Sequence, residues 1–173
     1  MELAFFGSRV ARGVLLLLGI LVAIISVVIA TTSVLTARSI ARKKQVADLL
    51  FSCRNDHQLA KGLKTIRDAS TSPNTNLASF AGFTTSDDET ALSLRYVLNH
   101  YEYISICIQS EIYDEEMLRK AMRRTVIRSY QHSKGYIDAM RELHQTKTLY
   151  QEFQWLAERW KMKEIDVKFP NGA

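Results

Sequence analysis

Gly13–Leu35 is a run of 23 residues without a charged side chain, and it constrains this chain more than any other feature. At about 1.5 Å rise per residue, a helix of that length covers the roughly 30 Å hydrocarbon core of a bilayer. Three structures compete for such a run. A soluble core helix would carry a polar stripe toward water, and this segment is apolar all round. A cleaved signal peptide would use Arg9 and Arg12 as its basic end and a site near Val28-Ile29-Ala30. The run exceeds the roughly 7–15 apolar residues of a signal, and no clean small-x-small triplet ends it. Arg38, Arg42, Lys43 and Lys44 follow at once, as basic groups do where a chain is retained in a membrane. An uncleaved, single-pass membrane helix is the expectation.

The asymmetry of the flanks sets the expected orientation. Arg9 and Arg12 stand on the N-terminal side, against Arg38, Arg42, Lys43 and Lys44 on the other. The heavier side stays in the cytoplasm, which leaves residues 1–12 as a short extracytoplasmic tail with Phe5 and Phe6 at the outer interface. All six basic groups are then candidates for contact with lipid headgroups.

Charge distribution also narrows the partners. The chain carries a formal net charge of +5, and residues 1–44, with those six basic groups and Glu2, account for all of it. Residues 45–173 hold 17 basic and 17 acidic groups. The body is therefore neutral, and its composition argues against nucleic acid as a partner. Cys53 and Cys107 have neither metal-site nor disulfide-framework spacing, and read as small apolar residues. His57, His132 and His144 are scattered without ligand spacing, so neither a metal nor a cofactor is expected.

The body reads as all-α, because long stretches have helical period and no alternating pattern would pair into a sheet. Residues 36–69 form a juxtamembrane helical segment. Its first part, Thr36–Arg54, turns Ile40, Val46, Ala47, Leu49, Leu50 and Cys53 to its less polar side. A second helix starts at Asp56, an N-cap residue, and carries Leu59, Leu63 and Ile66. Residues 70–88 read as a loop, rich in Ser, Thr and Asn around Pro73, with Leu77, Phe80 and Phe83 packing it onto the body. Ser86 with Glu89 makes a capping box for the next helix.

Residues 89–163 form the core of a helical bundle, and 164–173 a C-terminal tail. The helix about Asp87–Ser110 carries Ala91, Leu94, Val97, Leu98, Tyr101, Ile104, Ser105 and Ile108 inward. Asp114, Glu115 and Glu116 open another helix, acidic at its N-terminus as the helix dipole favours, with Met117, Leu118, Ala121, Met122, Thr125 and Val126 inward. Gly135 marks a break before Tyr136–Leu143. The last helix, Thr148–Lys163, aligns Leu149, Phe153, Leu156 and Trp160.

Three constellations could carry chemistry. Arg95-Tyr-Val-Leu-Asn-His100 is an R-x4-H string that resembles the signature of HEPN-type ribonucleases. Those are small helical bundles that dimerise so that two Arg/His pairs form a metal-independent RNA-cleaving site. The resemblance implies that His100 moves protons and that Arg95 steadies a phosphate. Residues five apart sit about 140° around a helix, so a surface arginine and a hydrogen-bonded histidine is the plainer reading. Arg119, Lys120, Arg123, Arg124 and Arg128 form a basic patch that could meet a partner, an oligomer neighbour or a phosphate. Glu116 with Lys120 is an i,i+4 pair that favours a solvated face instead. Asn99 and Glu102 read as a buried polar network that satisfies neighbouring helix ends.

Leu98-Asn99-His100-Tyr101-Glu102, then Ile104, Glu111-Ile-Tyr-Asp114-Glu115 and Tyr136–Arg141, resembles a bacterial domain family of unknown function. Its members are short proteins with one N-terminal span and a cytoplasmic helical domain, often encoded beside prophage or mobile elements. The resemblance implies a bacterial inner-membrane location and carries no catalytic residues. The layout is also similar to the membrane accessory protein of type VI-B CRISPR systems, a single-span helical protein that assembles into a ring-shaped pore.

No phosphate-binding glycine loop or nucleophile elbow is present, so a non-enzymatic function is the favoured expectation. The body is expected to self-assemble and cluster its spans, as a pore-forming or membrane-perturbing effector in phage defence or phage–host conflict would. The small polar residues Ala30, Thr31, Thr32, Ser33 and Thr36 would lie where spans or a narrow water path meet. A membrane-tethered ribonuclease or RNA-binding protein using Arg95 and His100, and a scaffold that recruits a cytoplasmic protein, are the alternatives.

Overall fold

Among the described residues, six helical elements follow one another: α1 (Glu2–Asn55), α2 (His57–Thr71), a short 3-10 helix (Leu77–Gly82), α3 (Glu89–Gln109), α4 (Glu115–Leu143) and α5 (Gln151–Met162). The computed structural model describes residues 2–72, 76–82 and 88–162, with side chains described from Leu15 onward. No strand occurs among the described residues, so the chain is all-α as its periodicity predicts. The readings placed on Phe5, Phe6, Arg9, Arg12, Phe83, Ser86 and residues 164–173 lie outside the described side chains.

Contacts divide the chain into Met1–Ala41 and Arg42–Ala173. The first unit is a single stretch of α1 that is long and apolar enough to cross a membrane. Leu15 through Leu35 expose their side chains throughout, with nothing of their own unit to pack against. The hydroxyls of Ser26, Thr31, Thr32 and Thr36 donate to carbonyls one turn back, at 2.8–3.0 Å. These polar groups are satisfied within the helix, which makes them tolerable in hydrocarbon without a water path.

The second unit is a helical bundle built around α3. Every inward residue expected on α3 is buried, from Ala91 to Ile108; α2 and α5 pack against α3, and α4 packs against α2 and α5. Phe153 and Trp160 of α5 are completely buried, with the Phe153 ring stacked 5.0 Å from that of Tyr101. The C-terminal end of α1 contributes Val46, fully buried, with Leu49, Leu50 and Cys53 half-buried beside it; Ala47 faces solvent. Inside the expected loop, the 3-10 helix buries Leu77 and Ala81 and packs on α4 and α3.

The helix ends show why the elements stop where they do. Asp56 caps α2 through the Leu59 N–H at 2.8 Å, as its residue type predicts. The start of α3 is capped by Asp88, which accepts from Thr90 and Ala91. Asp114 caps α4 through the Met117 N–H. α3 ends with the Ile112 N–H reaching back to the Cys107 carbonyl and Glu111 in the left-handed region, φ 56°. Glycine usually takes that position; here a glutamate takes it and turns its carboxylate to Arg42.

Two further expectations are corrected. α4 runs through Gly135 without a break. A glycine interior to a helix costs only about 1 kcal/mol, and buried Tyr130, Ser133, Tyr136, Ile137 and Met140 hold the helix on both sides of it. Ala121 and Thr125 are exposed rather than inward, because α2 stops short of closing over that part of α4 and leaves a cleft.

Candidate functional site

α3 is flanked on two edges. Toward α1 and α2 it presents Ser93, whose carbonyl lies under Gly62, and His100, whose Nε2 is 3.6 Å from the Cys53 thiol. Toward α4 and α5 it presents Arg95, whose Nε donates to the Tyr136 hydroxyl at 3.1 Å, and Glu102. The line between these edges faces outward. Leu92, Tyr96, Asn99, Tyr103 and Ile106 occupy it, with Leu92, Tyr96, Tyr103 and Ile106 exposed by 39%, 40%, 59% and 45%.

Their spacing of 4, 3, 4 and 3 is the seam of a coiled-coil helix. The composition of the seam is symmetric about its centre: aliphatic, tyrosine, asparagine, tyrosine, aliphatic. An antiparallel copy would set Asn99 against Asn99, Tyr96 against Tyr103 and Leu92 against Ile106, as a two-fold interface requires. The sequence reading names the inward residues of α3 and passes over this face, because Tyr101–Ile108 is almost continuously apolar. The 4-3-4-3 spacing was the available signal.

The expected buried network is half corrected. Asn99 is exposed at the centre of the seam, since none of the described helices packs on that side of α3. Glu102 does satisfy a helix end, accepting from the Phe153 N–H at 2.7 Å and the Glu152 N–H at 3.4 Å.

Arg95 and His100 leave α3 by opposite edges and engage different elements. Burial pushes the His100 pKa down against a smaller upward pull from Asp56. Asp56 itself is held low although burial opposes it, by the Leu59 N–H and by the Tyr96 hydroxyl, which donates at 2.7 Å. Burial also raises the Cys53 thiol, with Asp56 adding to it, so the Cys53–His100 pair favours thiol and neutral imidazole over an activated thiolate. Both cysteines are free, Cys107 buried and Cys53 half-buried.

The basic groups part ways too. Arg42 pairs with Glu111 at 2.5 Å, so it is engaged within the bundle instead of being a free headgroup contact. Arg38, Lys43 and Lys44 are exposed. Lys120 pairs with Glu116 at 2.6 Å, and Arg123 donates to the Trp160 carbonyl at 2.8 Å. Arg119 is half-buried beside Glu116, while Arg124 and Arg128 line a cleft between α4 and α2. The expected single basic face is thus divided, because one α4 surface meets α5 and another meets α2. Among the described residues, no three His, Cys, Asp or Glu side chains converge as a metal site.

A domain of unknown function, DUF4760, matches residues 17–160. The chain belongs to the DUF4760 family. That span takes in the apolar stretch of α1 from Leu17, the whole of α3 with its outward seam, and α5 as far as Trp160. No curated protein and no solved structure matches the chain.

Proposed function

We propose that this DUF4760 protein is a single-pass membrane protein whose helical body faces the cytoplasm and self-assembles through the outward seam of α3. The seam carries the reading. Four tyrosine or aliphatic side chains left in water on the central helix of a bundle mark a surface that a partner covers. Its palindromic order fits a second copy, and anchorage of the apolar stretch of α1 in one bilayer would raise the local concentration of copies. The excess of basic groups after that stretch supports the cytoplasmic orientation.

Assembly through the body would cluster the membrane helices. A pore or a local membrane disturbance, in phage defence or phage–host conflict, is the effector role this reading extends to. The self-satisfied hydroxyls of Thr31, Thr32 and Thr36 suit lipid and helix contacts equally, so they do not by themselves call for a pore. The ribonuclease alternative gains less from the geometry, with Arg95 held by Tyr136 and His100 turned to Cys53.

The test is the mass of the detergent-solubilised full chain by mass photometry, with Asn99→Cys in a Cys53→Ser background. Self-assembly predicts a multimer and a disulfide-linked dimer of the variant under mild oxidation. Tyr103→Glu should reduce both while leaving the helical circular dichroism unchanged. A strict monomer, unaffected by Tyr103→Glu, would overturn the proposal.

A further inference from the structure

α2 and α4 leave a cleft of about 270 Å³ between them, and its charge is one-sided. Arg124, Arg128 and His132 line it from α4, one turn apart, and Arg67 faces them from α2. Ser129, only 4% exposed, lies among them. Among the described residues, no carboxylate lines the cleft. Arg67 has only a loose neighbour in Asp68, 3.8 Å away with both side chains mostly in solvent. Four other cations of the bundle each have a carboxylate at close range: Lys61 with Glu89, Lys120 with Glu116, Lys134 with Asp138, Arg159 with Glu115. Three guanidinium groups gathered from two helices without an acid repel one another, and a multiply charged anion removes that repulsion. The planar fork of arginine matches phosphate oxygens in pairs.

The cleft also has a continuation. Leu63 and Thr125 line it and equally line a neighbouring cavity of about 370 Å³. That second cavity is bounded by Leu50, Leu59, Met122 and Tyr101, and is mainly apolar apart from Arg54 at its edge. The two form one groove, basic at one end and apolar at the other. We propose that this groove binds a phosphate monoester carried on an apolar or aromatic body, with the phosphate at Arg67, Arg124 and Arg128. The shared chemistry is a dianionic phosphate; a mononucleotide and a lysophospholipid are its two sources. The site is separate from the α3 seam, so it stands whether or not the chain self-assembles.

The full chain in dodecyl maltoside is titrated calorimetrically with AMP and, separately, with 1-oleoyl lysophosphatidate below its micelle concentration. Saturable binding of AMP assigns a nucleotide, and of lysophosphatidate alone a lipid; either supports the site. Arg124→Gln/Arg128→Gln should weaken binding at least tenfold, as should Arg67→Gln, which lies on a different helix and guards against a folding defect in the double variant. Lys120→Gln, on α4 outside the cleft, should bind as the unmodified chain does. Absence of binding by both probes at millimolar concentration overturns the proposal. So does unchanged binding in the arginine variants, or equal weakening by Lys120→Gln.

Discussion

The Glu102 carboxylate on α3 accepts the backbone N–H of Phe153 at 2.7 Å, so one helix caps the start of another 51 residues away in the chain. First-turn N–H groups of a helix have no partner within it, and Glu102 supplies one to the start of α5. Glu102→Ala should therefore cost about 1 kcal/mol, the worth of an N-cap, in thermal or urea unfolding followed by circular dichroism. Glu102→Gln, which keeps an accepting oxygen, should cost less. Burial raises the Glu102 pKa above its ordinary 4.5 and the two N–H groups offset only part of that. Its contribution to stability is therefore greatest below pH 4.5 and declines as pH rises through the folded value, a slope that Glu102→Gln removes.

At Gly62 the backbones of α2 and α3 approach closely. A Cβ there would meet the Ser93 carbonyl oxygen at 2.5 Å and press on the Val97 methyl. The Ser93 backbone belongs to α3 and cannot give way alone. Gly62→Ala is expected to destabilise by about 1–3 kcal/mol in spite of its better helix propensity, read as a lowered unfolding midpoint.

Gly135 makes the opposite case within the same bundle. It lies inside α4, and a Cβ added there meets nothing within 4 Å. Gly135→Ala should stabilise by about 0.5–1 kcal/mol, because alanine loses less backbone entropy on forming a helix. An unchanged or lowered midpoint would count against a continuous α4.

His100 gives the bundle a pH dependence near neutrality. Burial holds its folded pKa below the ordinary 6.5, so the unfolded chain takes up the proton more readily. The stability tied to the neutral ring is complete above pH 6.5 and is lost as pH falls through the folded pKa. Melting temperature should fall between pH 7.5 and pH 5.5, and His100→Gln should flatten that part of the profile. A profile equally steep in the variant would place the titrating group elsewhere.

Much of the fold is legible locally. Asp56 and Asp114 cap the helices their residue types announce, and the inward residues of α3 follow from its period alone. The misreadings share one cause. A glycine motif alone announces a break at Gly135, and the packing that holds α4 on both sides of it overrides that motif. Asn99 reads as inside because a helix apolar on nearly every side does not announce which side is left over. The arginines of α4 looked like one face, and their partners, Trp160 on α5 and the α2 cleft, lie tens of residues away.

The sequence by itself determined the all-α class, the caps that start α2 and α4, the apolar stretch long enough to cross a membrane, and the neutrality of everything after its basic flank. Those properties act within a turn or two of helix or are sums over composition. Only the tertiary structure decided that Glu102 caps α5, that Arg42 is spent on Glu111, that Arg124 and Arg128 join Arg67, and that α3 keeps a palindromic seam in the open. Each of these depends on which distant segment arrives against a given helix face, and only the packing of the whole bundle selects that.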